Sequence, residues 1–167
     1  MIWWIAVPLL AATAVLQTAI FRRVMLLDGS LDLLIVIVVC WSLLRPEEGM
    51  GWALAAGSFA DLFSGGPFGV TAIAYLLASF AAGLLHGRLR TDSPLAVMAI
   101  TLGGTVLSHL AMIILLAVFG RRPDIGYVIP YVTLPGAFLN TLCAVPVYLS
   151  LRRLHIAGIP VLAREEE

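Results

Sequence analysis

Gln17, Asp32, Asp61, His109 and Asn140 are the main residues inside apolar stretches that could do chemistry. An ionisable side chain in a lipid-like environment is costly, so each acid among them raises a site hypothesis. Asp61 is the most structured case. Gly49, Ala53 and Gly57 precede it at four-residue intervals. On a helix that spacing lines up one face, and small residues there let a second helix approach closely. Two readings follow: a packing seam with a polar end, or an ion or ligand site. Asp32 opens an apolar run, where a carboxylate favours a helix N-terminus. His109 stands beside Thr101, Gly104, Thr105 and Ser108, with no second His or Cys three or four residues away to complete a metal site. No metal and no cofactor is expected. Asn140 shares its segment with Pro130, Pro135 and Pro146, and Pro135 should kink or loosen that helix, with Asn140 helping to satisfy the irregular backbone. Broken helices also occur at transporter sites.

No phosphate-binding Gly-rich loop with Lys, no Cys-x-x-Cys, no His-Glu-x-x-His and no Gly-x-Ser-x-Gly is present. The chain is therefore read as a non-enzyme. Ten arginines and no lysine balance five Asp and five Glu, so no basic patch for nucleic acid exists. Cys40 and Cys143 both lie in apolar runs, which argues against a disulfide framework.

The elements that carry these residues are legible from hydropathy. Hydrophobic residues make up 61% and charged residues 12%, and the mean hydropathy is +1.03. The charges cluster between continuous apolar runs. This describes one all-α polytopic membrane domain over 1–167, with six transmembrane helices at about 2–21, 31–44, 49–63, 68–85, 95–119 and 128–151. Barrel strands would alternate and be about half as long. The second and third runs are short for a hydrocarbon core of about 30 Å; thinning, extension into polar flanks, or burial inside the bundle would accommodate them. Small-residue rows recur at Ser79, Gly83 and Gly87. Between the third and fourth runs, Gly65 and Gly66 make a tight turn, Pro67 suits the first turn of the next helix, and Asp61 should accept backbone N–H groups around Ser64–Gly69.

The first run lacks the basic flank of a secretory signal and is read as a retained helix. With the N-terminus inside, Arg45, Arg88, Arg90, Arg152, Arg153 and Arg164 fall on the cytoplasmic side, and Arg22, Arg23, Arg121 and Arg122 outside. Trp3, Trp4, Trp41 and Trp52 then cluster near one interface. The expected topology is multi-pass with both termini cytoplasmic.

Leu31-Asp32-Leu33-Leu34, Gly51 and Gly57 leading to Asp61-Leu62, then Gly65-Gly66-Pro67-Phe68-Gly69 and Tyr75, resemble the rod shape-determining MreD family of bacteria. Leu31 stands where that family usually has proline. The motif region covers about residues 31–83. The resemblance implies a non-enzymatic scaffold of the cell-wall elongation complex in the cytoplasmic (inner) membrane. It would bind MreC by transmembrane and juxtamembrane contacts and reach RodA, a class B penicillin-binding protein and MreB through the complex, supporting cell shape and lateral peptidoglycan synthesis. It also implies a fold similar to the substrate-binding subunits of energy-coupling-factor transporters. From this comes the alternative, a vitamin-like small-molecule binding subunit. Asp32, Gly49, Ala53, Gly57, Asp61, Gly65, Gly66, Pro67 and Gly69 would then shape the hairpin and a partner-docking surface.

Overall fold

The computed structural model describes residues 3–19, 25–86 and 93–162. Among these residues the regular structure is helical apart from one tiny hairpin. Helix α1 spans Trp3–Ala19; strands β1 (Met25–Leu26) and β2 (Gly29–Ser30) pair antiparallel, Met25 with Ser30 and Leu26 with Gly29. Then follow α2 (Leu33–Leu44), α3 (Pro46–Ser64), α4 (Val70–Leu85), α5 (Pro94–Val118), a short α6 (Ile125–Val128), a π-turn at Ile129–Thr133, and α7 (Leu134–Leu162). Two stretches, Pro94–Val118 and Ile125–Leu154, are long and apolar enough to cross a bilayer; Val7–Gln17, Leu33–Leu44 and Val70–Leu85 are shorter apolar helices.

Helix α2 is the hub. Every residue from Leu34 to Leu43 is buried, and α1, α3, α4, α5 and α7 all pack on it. Twelve residues make a rod of about 18 Å. Burial inside the bundle is thus how this short, wholly apolar run is accommodated. A helix hydrophobic all round belongs in an interior.

The third run is longer than hydropathy indicates. It starts at Pro46 rather than 49, because proline suits the first helical turn and Glu47 and Glu48 sit favourably at the positive helix end. The expected Arg45–Glu48 turn shrinks to Arg45 alone, whose guanidinium reaches Glu47 at 2.9 Å and Glu48 at 3.2 Å. Trp41 and Trp52 do not face lipid beside this turn. They stack at 4.4 Å between ring centroids and are buried, so the interfacial-anchor reading fails for this pair. Trp41 Nε1 donates to Glu48 Oε2 at 3.2 Å. Arg22, Arg23, Arg88, Arg90, Arg164 and Gly87 lie outside the described residues, and Trp3 and Trp4 outside the described side chains.

The last run is also longer than expected, from Ile125 onward through Leu162. Its irregularity falls where the prolines stand. Pro135 has no N–H to offer the Tyr131 carbonyl four residues back. The Asp28 N–H fills that gap at 3.2 Å. Gly29 makes the approach possible: a Cβ there would lie 2.5 Å from Gly136 N and 2.7 Å from Val132 O. The small hairpin therefore patches the break in the long helix. Asn140 does not serve the break, contrary to expectation; it is committed elsewhere.

Candidate functional site

The row of small residues on α3 faces the chain's own helices. Gly49 abuts Ser42 of α2, and a Cβ at Gly57 would stand 2.3 Å from Ala72 Cα and 2.7 Å from Ala72 N on α4. Ala53 is completely buried. The seam is an intrachain one, so Gly49, Ala53 and Gly57 are not an exposed surface for another protein's helix. Next along, Ser42 and Ser79 share a hydrogen bond at 2.8 Å, and Pro46 packs over Gly83.

Asp61 ends the row, 4% exposed. Its Oδ2 accepts the N–H of Gly69 at 2.8 Å and of Ala72 at 3.2 Å, and its Oδ1 accepts the N–H of Thr71 at 2.9 Å. Gly69 closes the expected turn, while Thr71 and Ala72 belong to the first turn of α4. The first N–H groups of a helix have no intrahelical acceptor, and here an acid from the preceding helix supplies it. Gly65 at φ +67° closes α3, and Gly69 at φ +96° is the residue before α4. Both are left-handed conformations that glycine adopts without a Cβ penalty. Gly66 donates its N–H to Ser64 Oγ at 3.2 Å. Pro67 lies in the turn, before the first turn of α4, because Gly69 rather than Pro67 borders that helix.

Asp32 does more than start α2. Its Oδ1 accepts from Leu34 N at 3.2 Å and Ile35 N at 3.3 Å, the capping role expected of it. Gln17 Nε2 of α1 donates to the same oxygen at 2.9 Å, and Gln17 Oε1 accepts Leu34 N at 3.3 Å. Tyr75 of α4 donates its hydroxyl to Oδ2. The Asp32 N–H donates to Asn140 Oδ1 of α7 at 2.8 Å, while Asn140 Nδ2 donates to Thr105 Oγ1 of α5 at 3.3 Å. Asp32 thus joins α1, α2, α4 and α7 directly, and α5 through Asn140. His109 lies near this cluster on α5, its ring against Gly136; no group of three metal-ligating side chains forms among the described residues.

A cavity of about 280 Å³ opens beside Asp32, lined by Gln17, Thr71, Tyr75, Phe63 and Met112 among others. The polar residues scattered through the apolar runs therefore meet at one end of the bundle. Tyr75 and Thr71 complete the site and were not singled out by polarity, although with Ser79 they recur every four residues along α4.

The model of the family described as rod shape-determining protein MreD matches residues 1–156. The chain belongs to the MreD family. MreD-family proteins are cell-shape-determining membrane proteins of bacteria, not known as enzymes, and the apolar helices above agree with that setting. No curated protein matches the chain, and no solved structure does. The Asp-Leu and Gly-x-Pro-x-Gly elements that carry the family resemblance are the Asp61 clamp and its turn; the Asp32 element is the five-helix junction. In this MreD-family chain the motif residues hold the bundle together.

Proposed function

We propose that this chain is a non-enzymatic scaffold of the cell-wall elongation complex. In this reading it crosses the inner membrane six times, with both termini cytoplasmic and the hairpin end outward, in a fold similar to the substrate-binding subunits of energy-coupling-factor transporters. It binds MreC and, through the complex, RodA, a class B penicillin-binding protein and MreB. Membership of the MreD family over residues 1–156 is the observation that carries the reading. The chemistry of the interior supports it. The carboxylate of Asp61 is taken up by three backbone N–H groups, and that of Asp32 by a cap, an amide and a phenol. Held by backbone donors of its own hairpin, Asp61 fixes a shape rather than carries an ion, and Asp32 joins helices.

The second reading, a small-molecule binding subunit, draws on the cavity beside Asp32. Its volume of about 280 Å³ falls at or below the low end of the roughly 300–1,000 Å³ usual for ligand pockets, which favours the scaffold. Complementation tests the choice. In rod-shaped cells deprived of their own MreD-family protein, this chain should restore rod shape. Uptake of a vitamin restored without any effect on shape would replace the scaffold by the second reading.

A further inference from the structure

The cavity beside Asp32 has an electrostatic character that the scaffold reading does not use. Asp32 Oδ1 already accepts three donors, from Gln17 Nε2, Leu34 N and Ile35 N. Oδ2 accepts one, the Tyr75 hydroxyl. A carboxylate oxygen has two lone-pair directions, so Oδ2 retains an acceptor site, and Asp32 lines the cavity. The rings of Phe63 and Tyr75 line the same space, and aromatic faces attract cations. No arginine or histidine lines it among the described residues. An acid next to aromatic rings favours a positive guest and rejects an anion.

We infer that this cavity receives one guanidinium or ammonium side chain of a polypeptide partner, with the Asp32 carboxylate as counter-ion. The inference rests on the scaffold reading, because a partner must supply the side chain. Size argues for a side chain: about 280 Å³ suits one long residue and little more. Access fits too. The cavity is walled by the ends of α1 and α3, the starts of α2 and α4, and Met112 of α5, so a segment crossing that end of the bundle can reach it without parting the helices.

The experiment uses the full chain in lipid nanodiscs and three small probes: N-acetyl-arginine N-methylamide, its neutral isostere N-acetyl-citrulline N-methylamide, and ethanolamine phosphate as a lipid-headgroup mimic. Equilibrium titration should show the arginine probe binding about tenfold or more tightly than the citrulline probe, the scale of losing one charge partner. Asp32→Asn should abolish that preference. Ala60→Leu, which fills the cavity wall without touching the Asp32 hydrogen bonds, should abolish binding of both while leaving the helical circular dichroism unchanged; it covers the case in which Asp32→Asn fails to fold. Equal binding of the two blocked amino acids overturns the inference, as does a preference that survives either substitution. Tighter binding of ethanolamine phosphate than of the arginine probe assigns the cavity to lipid and overturns it as well. So does a preference that emerges only in the Arg22→Gln/Arg23→Gln variant, because the chain's own arginine would then be the guest. A preference seen alongside failure to bind MreC would sink the scaffold reading while leaving the cavity's charge selectivity intact, so the two failures read separately.

Discussion

Replacing Asp61 separates a structural carboxylate from one that titrates during function. Three backbone N–H groups converge on it, two on Oδ2 and one on Oδ1. Leucine would strand all three. Each unpaired buried donor costs about 1–3 kcal/mol, so Asp61→Leu should lose roughly 3–9 kcal/mol. That approaches the whole stability of an ordinary domain, about 5–15 kcal/mol. Asparagine has one oxygen in place of two. Its oxygen can keep the Gly69 and Ala72 donors, while its NH2 would face the Thr71 N–H. One donor is lost, along with the charge assistance on the other two, a loss of about 2–4 kcal/mol. The order is therefore wild type, then asparagine, then leucine. Chemical unfolding of the detergent-solubilised protein, read by circular dichroism, should follow that order, and rod-shape complementation should track folded protein level. An asparagine variant as stable as wild type yet inactive in cells would refute the reasoning, since it would show that the charge serves function rather than the fold.

Other substitutions test other contacts. Gly57→Ala should push α3 from α4, because the new Cβ meets Ala72 backbone at 2.3 Å; a shape change of this kind typically costs about 1–3 kcal/mol, and an unchanged unfolding midpoint would count against the seam. Gly29→Ala should release the hairpin from the Pro135 break, visible as faster hydrogen exchange at the Asp28 amide, whose donor bond to Tyr131 would be lost; unaltered exchange would contradict the patch. Leu27 is exposed and stands at φ +58°, so Leu27→Gly should stabilise the fold by up to about 1 kcal/mol, checked by the same unfolding curve. Cysteines placed at Ser64 and Asp124 should label from one side of intact cells and one at Glu47 only after permeabilisation; labelling of all three from outside would overturn the proposed topology.

Much of the helix layout was legible because each helix is a continuous apolar run closed by charge or by Gly and Pro. The ends that moved did so for local reasons: Pro46 with Glu47 and Glu48 extends α3, and Gly69 rather than Pro67 borders α4. The Asp61 clamp was legible too, since a helix start a few residues downstream leaves donors in need of an acceptor. The Asp32 junction was not. Its bonds join positions 15, 43 and 108 residues apart, and nothing in the spacing of Gln17, Tyr75 and Asn140 announces that they meet. The hairpin patch was equally silent, because Asp28 and Gly29 read as loop residues until Pro135 of α7 is placed against them. Burial of the Trp41–Trp52 pair was hidden for the opposite reason: tryptophans beside a charged turn look like lipid anchors, and only packing shows that they stack on each other.

Affinity purification of the tagged full-length chain from native membranes, with its companions identified by mass spectrometry, tests the scaffold claim most directly. The account predicts that MreC comes down with the chain in stoichiometric amounts and is lost with Asp61→Leu, whose fold fails, while a wild-type-like variant such as Leu27→Gly retains it. Recovery of a transport ATPase pair in place of MreC would contradict the scaffold and make the second reading the right one.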